Sequence, residues 1–262
     1  MFSMLIDTHA HLYLPEFDND REAMIGRAMA AGVGRFYLPN IDSSSIGAML
    51  RLEQQYPGQC FAMMGLHPCS VKEDYRKELA IVEDWLVKRP FAAVGEIGID
   101  LYWDKTFVKE QDGAFLQQIE WAAARQLPVV IHSRDAMDHI LQLLRHQPIH
   151  GLRGVFHCFS GTVSQAEVAI ELGFLLGIGG VLTFKNSGLD LVVKSLPLEH
   201  LVLETDSPYL APVPYRGKRN ESSYLALVAN RLADIKGLPV DEVASITTQN
   251  AMRLFARHFT TA

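Results

Sequence analysis

Two histidines one residue apart, His9-Ala10-His11, close the first apolar run of the chain, and side chains of compatible chemistry recur along it at Glu96, His132, His157 and Asp206. In an extended Leu5-Ile6-Asp7-Thr8-His9-Ala10-His11 segment, residues two apart share a face, so both imidazoles converge on one ion. The further imidazoles and the two carboxylates then complete a site for a pair of divalent cations. Imidazole and carboxylate ligands suit zinc, manganese, nickel or iron, and a carboxylate at Glu96 can bridge two of them. Two ions about 3.5–4 Å apart bind a water as hydroxide and polarise the oxygen under attack, which is the arrangement of metal-assisted hydrolysis. Asp206 serves such a centre as ligand and as proton acceptor.

Residues so far apart in sequence need elements that return them to one place. Short apolar runs occur at Leu5–Asp7, Arg35–Leu38, Cys60–Gly65, Ala92–Gly95, Val129–Ile131, Gly154–His157, Phe174–Gly177 and Leu201–Leu203. Between them lie stretches of helical spacing at Asp20–Ala31, Ser45–Tyr56, Lys77–Lys88, Glu110–Arg125, Ala136–Gln147, Ser164–Leu172 and Leu189–Ser195. Gly32, Pro57-Gly58, Pro90 and Pro128 supply stop signals after the first four. Strand and helix alternate throughout, and this α/β pattern predicts a closed (β/α)8 TIM-type barrel rather than an open doubly wound sheet. In such a barrel the C-terminal strand ends surround one mouth, and the six candidate ligands fall at those ends. A loop at Ser207–Ser222 follows the eighth strand, then helices at Ser223–Lys236 and Asp241–His258, the latter with Asp241 as its cap. No linker or repeat interrupts the pattern, so residues 1–262 read as a single domain.

The chain has 262 residues, 48% of them hydrophobic and 21% charged, which fits a globular protein with a large core. No apolar run reaches the roughly 18 residues of a membrane span, and Met1–Leu5 is too short for a secretory signal, so a cytoplasmic location is expected. Three cysteines, Cys60, Cys69 and Cys158, form no paired framework, and Cys158 reads as a small apolar filler with a neutral thiol. The net charge of −6 excludes a global basic field for holding long nucleic acid, although cations in the cleft can attract a phosphodiester locally.

Seven ordered segments span nearly the whole chain: Asp7-Thr8-His9-Ala10-His11-Leu12, Gly65-Leu66-His67-Pro68, Val94-Gly95-Glu96-Ile97-Gly98-Ile99-Asp100, Ile131-His132-Ser133-Arg134, His157-Cys158-Phe159-Ser160-Gly161, Glu204-Thr205-Asp206-Ser207-Pro208-Tyr209-Leu210 and Arg216-Gly217-Lys218-Arg219-Asn220-Glu221. With them the chain resembles the TatD family of metal-dependent deoxyribonucleases, within the amidohydrolase-like superfamily of barrels. The resemblance implies that His9, His11, Glu96, His132, His157 and Asp206 are the metal ligands. It also implies phosphodiester hydrolysis from DNA ends, usually 3′ to 5′, supported by magnesium, manganese or zinc. Relatives linked to abasic-site cleavage or to deacylation of D-aminoacyl-tRNA keep a metal-dependent ester or amide hydrolase as the alternative. A non-catalytic barrel with a structural metal is a third reading, disfavoured because all six ligands are retained. The family pattern commonly continues Arg-Asn-Glu with proline, whereas here Ser222 follows, a residue able to cap the next helix.

Other residues are placed to meet a substrate. His67 ends the third run and is expected to contact a phosphate or the attacked group. Arg134, two residues past His132, can clamp a phosphate or pair with Asp138. Glu204 shares a face with Asp206 and can orient a ligand. The basic loop Tyr215-Arg216-Gly217-Lys218-Arg219 is expected to meet a polyanion, Arg219 among its contacts, with Tyr209 or Tyr215 free to stack on a base. Tyr102 and Trp103 can stack likewise. The expected partner is single-stranded or end-bearing DNA, with no membrane and no obligate protein partner.

Overall fold

The structure, a computed structural model, describes residues 4–256. Among them are eight strands: β1 Leu5–Asp7, β2 Val33–Pro39, β3 Cys60–Met63, β4 Val94–Asp100, β5 Val129–Arg134, β6 Gly154–Phe156, β7 Phe174–Ile178 and β8 Leu201–Leu203. All neighbouring pairs are parallel, within one run β1-β2-β3 and another β4-β5-β6-β7-β8. Backbone bonds close both seams. Met64 donates to the Ala93 carbonyl at 3.1 Å and Gly95 to that of Met64 at 3.0 Å, joining β3 to β4. Thr8 donates to Leu203 at 3.1 Å, Asp206 to His9 at 2.9 Å and His11 to Ser207 at 2.7 Å, joining β1 to β8. The second seam lays His9 and His11 beside Asp206, which no local sequence signal could do.

Helices α1 Arg21–Ala30, α2 Ile46–Gln55, α3 Tyr75–Lys88, α4 Val108–Arg125, α5 Met137–His146, α6 Val163–Glu171, α7 Leu189–Ser195 and α8 Leu225–Lys236 follow the strands in turn, and α9 Val240–Leu254 comes last. The closed (β/α)8 barrel expected from the alternation is therefore present. Its main core lies between strands and helices, through residues such as Phe36, Leu38, Phe115, Ile131, Phe156 and Leu225. A second cluster takes Ile6, Tyr37, Met63, Ala93, Val130, Val155 and Val202 around the ring of strands, with Ala251, Leu254 and Phe255 from the end of α9. Phe255 stacks on Tyr37 at 3.9 Å, so the last helix plugs the N-terminal end of the barrel. Chemistry is left to the opposite mouth.

Element boundaries differ from expectation where polar residues continue a strand. β4 runs on to Asp100 and β5 to Arg134, past the expected ends at Gly95 and Ile131, because their ladder continues through Gly98 against His132 and Asp100 against Arg134. The approach at Gly98 is close: φ is +141°, and a Cβ there would lie 2.1 Å from the His132 carbonyl oxygen. Only glycine fits that position. Asp241 lies inside the first turn of α9, after Pro239 at the cap position, rather than capping it. The expected end of this helix at His258 lies outside the described residues. Ser222 opens a short 3-10 turn, Ser222–Tyr224, and turns its hydroxyl inward to Asp7 rather than capping α8.

Candidate metal centre

Strand ends and the extensions of β4 and β5 carry all six expected ligands to one buried cluster. His9 and His11 follow β1, and Asp206 follows β8 with φ +56°, a left-handed conformation that a non-glycine residue holds only where its surroundings enforce it. His9 Nε2 lies 3.3 Å from His11 Nε2, 3.2 Å from Glu96 Oε2 and 3.7 Å from Asp206 Oδ1. His11 Nε2 lies 3.5 Å from Glu96 Oε2 and 3.7 Å from Asp206 Oδ1. Ligand atoms at the corners of a tetrahedron with bonds of about 2.1 Å stand about 3.4 Å apart, so this nitrogen and oxygen set fits one divalent ion.

The other oxygen of Glu96 faces a second set. Glu96 Oε1 lies 2.8 Å from His132 Nδ1 and 2.7 Å from His157 Nε2, and those two nitrogens are 3.5 Å apart. The His9 and His157 rings stack at 3.8 Å between the sets. One carboxylate thus offers an oxygen to each of two groups of imidazoles, and the donor chemistry fits divalent ions at both.

The orienting groups were only partly legible. His132 points Nδ1 inward because Nε2 meets Asp100 Oδ2 at 2.8 Å, while Asp100 Oδ1 accepts from the backbone N–H groups of Tyr102 and Trp103 at 2.9 and 3.0 Å. Such a carboxylate fixes the tautomer and direction of a ligating histidine. Asp100 received no role in the sequence reading, yet the alternation of an extended β4 would have placed it on the face of Glu96. Behind His11, Nδ1 lies 3.2 Å from the Tyr13 hydroxyl, which donates to the Pro39 carbonyl at 2.6 Å. Glu204, expected to orient a ligand, has Oε1 3.4 Å from His157 Nδ1 and accepting from Cys158 N. Asp7, also missed, knots two ligand-bearing segments together. Its carboxylate accepts from Thr205 N at 2.9 Å, Thr205 Oγ1 at 2.7 Å and Ser222 Oγ at 2.6 Å.

Charge explains why the cluster suits cations. Burial alone would raise Glu96, but His157, His67 and His9 around it hold it well below the usual carboxylate range. His157 goes the other way: burial opposes its charge, yet Glu96 and Glu204 hold its pKa well above that of ordinary imidazole. Burial, then repulsion from His157, drives His9 well down. Burial pushes Asp206 up to about 6, with His157 and His11 pulling against it. Protons on these groups compete directly with metal. Burial and the nearby carboxylates also push the Cys158 thiol well up.

The residues expected to meet substrate divide. His67 reaches the cluster: Nε2 lies 3.4 Å from Glu96 Oε1. Its Nδ1 accepts the Cys69 backbone N–H at 3.0 Å, so the ring proton sits on Nε2, making it a donor and not a metal ligand while that bond holds. Arg134 does not pair with Asp138, whose carboxylate takes Gln165 instead; its guanidinium lies over Tyr102 and Trp103. Tyr209 is half-exposed, edge-on to His11 at 6.1 Å. Arg219 corrects the expectation. Its Nη atoms bind both oxygens of Asp20 at 2.7 and 2.8 Å and its guanidinium lies over Phe17, so it braces the loop after β8 against the start of α1. Glu221 binds Arg27 at 2.6 and 2.9 Å, and Asn220 holds the Thr205 and Tyr209 carbonyls at 2.7 Å, so Arg219-Asn220-Glu221 forms a structural clip. Arg216 lies over Phe184 at 3.7 Å, and Tyr215 stacks on Tyr224 at 4.2 Å, which occupies one face of the ring expected to take a base.

Known proteins match this chain over nearly its whole length. Residues 6–256 match the family model described as TatD related DNase. The chain is 38% identical to the uncharacterized metal-dependent hydrolase YabD of Bacillus subtilis, over 96% of this chain and 99% of that one. It is 30% identical to the 3′-5′ ssDNA/RNA exonuclease TatD of Pectobacterium parmentieri, over 96% and 99%. The crystal structure of YJJV, a TatD homolog from Escherichia coli, superposes with a TM-score of 0.92 at 34% identity, covering 98% of this chain and 99% of that one.

Proposed function

The chain belongs to the TatD-related DNase family of metal-dependent hydrolases, and from that premise we propose that it is a divalent-metal-dependent exonuclease that shortens single-stranded or end-bearing DNA from the 3′ end. The observation that carries the reading is Glu96, which turns Oε2 to His9 and His11 and Oε1 to His132 and His157. His9, His11, Asp206 and Glu96 would hold one ion, and Glu96, His132 and His157 the other. Divalent ions bound there polarise a phosphoryl oxygen and make water a competent nucleophile at neutral pH.

The chain's own groups carry the remaining tasks. Asp206 accepts the proton lost by the attacking water at its carboxylate, whose Oδ1 lies 3.7 Å from both His9 Nε2 and His11 Nε2. His67 Nε2–H donates to a non-bridging oxygen of the scissile phosphate, and Arg134 attracts the neighbouring phosphate. Asp100 and Glu204 keep the rings of His132 and His157 in place. The 3′-5′ exonuclease of Pectobacterium parmentieri supports the choice of bond and direction.

The test follows a 5′-labelled single-stranded DNA with metal-stripped protein and added magnesium, manganese or zinc. A metal-dependent ladder of shortened strands is expected, with Asp206→Asn slower by roughly a hundredfold or more. An intact strand under every metal, with an aminoacyl ester hydrolysed instead, overturns the nuclease reading in favour of the ester or amide hydrolase.

A further inference from the structure

Trp103 is 69% exposed and Tyr102 52% exposed, large aromatic surfaces left in water three and two residues beyond the buried Asp100. They are not on a loose loop. The backbone N–H groups of both residues are held by Asp100, the carboxylate that orients His132. One residue further on, Asp104 pairs with Lys72 at 2.8 Å and accepts the Thr106 N–H at 2.9 Å. The two rings stand at 88° with centroids 4.8 Å apart, and the Arg134 guanidinium lies 4.1 Å from the Tyr102 centroid and 5.4 Å from that of Trp103. A preorganised aromatic surface and a cation therefore sit together, two hydrogen bonds from the ring of a candidate metal ligand.

We propose that Trp103, backed by Tyr102 and Arg134, is a nucleotide subsite: the indole stacks on the base of the nucleotide next to the scissile bond while Arg134 meets its phosphate. The inference rests on the nuclease reading above and assigns its base contact. Stacking tolerates any base because every base has a π face, so the subsite gives affinity and requires an unpaired strand without selecting sequence. Arg134 reaches a phosphate without leaving the rings, since a guanidinium stacks through its plane and donates from its edge.

Two measurements on the metal-loaded enzyme test it, comparing wild type with Trp103→Leu and Trp103→Phe. The first is hydrolysis of an oligonucleotide with ordinary 3′-terminal residues and of the same strand carrying abasic residues there. Trp103→Leu is expected to raise KM roughly tenfold on the ordinary strand with kcat little changed, and Phe to restore most of the loss. The preference of wild type for the ordinary strand over the abasic one should collapse in Trp103→Leu. Equal losses on both strands, or no loss on either, overturn the subsite. The second is binding of a non-cleavable phosphorothioate strand, which does not need activity. A wild type that cleaves no strand but binds this one roughly tenfold more tightly than Trp103→Leu leaves the subsite standing and removes the nuclease reading. Equal binding by the two overturns the subsite whatever the activity.

Discussion

At the scale of single residues, the candidate ligands depend for their orientation on side chains outside their set. Asp100 decides which nitrogen of His132 faces Glu96, so Asp100→Asn, which can present an N–H where a carboxylate oxygen was, should lower metal affinity or activity by roughly 10- to 100-fold. Metal titration followed by activity at saturating metal checks this, and an unchanged affinity would remove the orienting role. Asp7 gives a pH signature. Burial pushes its carboxyl up to about 7, against the pull of hydrogen bonds from Ser222 and Thr205. An unfolded aspartate titrates near 3.9, so between about pH 4 and 7 the native state binds the proton that the unfolded state has released. Stability from this group is therefore full at the acid end of that window and is lost as pH rises through it. In metal-free protein, the unfolding free energy of wild type minus that of Asp7→Asn should decrease from pH 4 to pH 7, as measured by urea unfolding. A difference that grows would reverse the assignment.

Elements meet at the site through close approaches. β7 comes against Glu204 so tightly that a Cβ on Gly177 would lie 2.2 Å from Glu204 Oε2 and 3.1 Å from the His157 Cα. Gly177→Ala should destabilise the protein by about 1–3 kcal/mol through overpacking and weaken metal binding by displacing the carboxylate beside His157. Thermal unfolding and metal titration on one variant separate the two effects. The loop after β8 is held to α1 by Arg219 with Asp20 and by Arg27 with Glu221. These pairs are partly exposed, so Arg219→Ala should cost no more than about 1 kcal/mol of stability. KM for a DNA strand should stay unchanged in that variant; a large rise would return Arg219 to the substrate contacts.

For the whole molecule, the barrel separates stability from chemistry. Phe255 and its neighbours plug one end, and the candidate ligands gather at the other. The candidate ligands converge from five strands only in the folded barrel, so a metal held by them would stabilise the folded state by mass action, about 2.7 kcal/mol at a hundredfold excess over Kd. Removal by a chelator should lower Tm, and Glu96→Gln should shrink that shift more than any single histidine change because Glu96 serves both sets. Melting curves with and without metal measure it. Among the described residues no helix is long and apolar enough to cross a membrane.

Residue types and their periodicity, read from the sequence alone, were enough for the eight alternating units and the six ligand-competent side chains at or just beyond the ends of apolar runs. Those are local properties: a strand shows its alternation and a helix its repeat within a dozen residues. The sequence reading did not reach Asp100, because β4 continues through polar residues that end an apolar run without ending a ladder. Nor did it reveal that Ser222 turns inward to Asp7 or that Arg219 is taken by Asp20, since each pairing spans about two hundred residues. Barrel closure decides such contacts. The β1–β8 seam and the registers of β4 against β5 determine which atoms come within hydrogen-bonding distance, and that distance separates a free guanidinium from a brace and a lone carboxylate from a bridge between two sets of imidazoles.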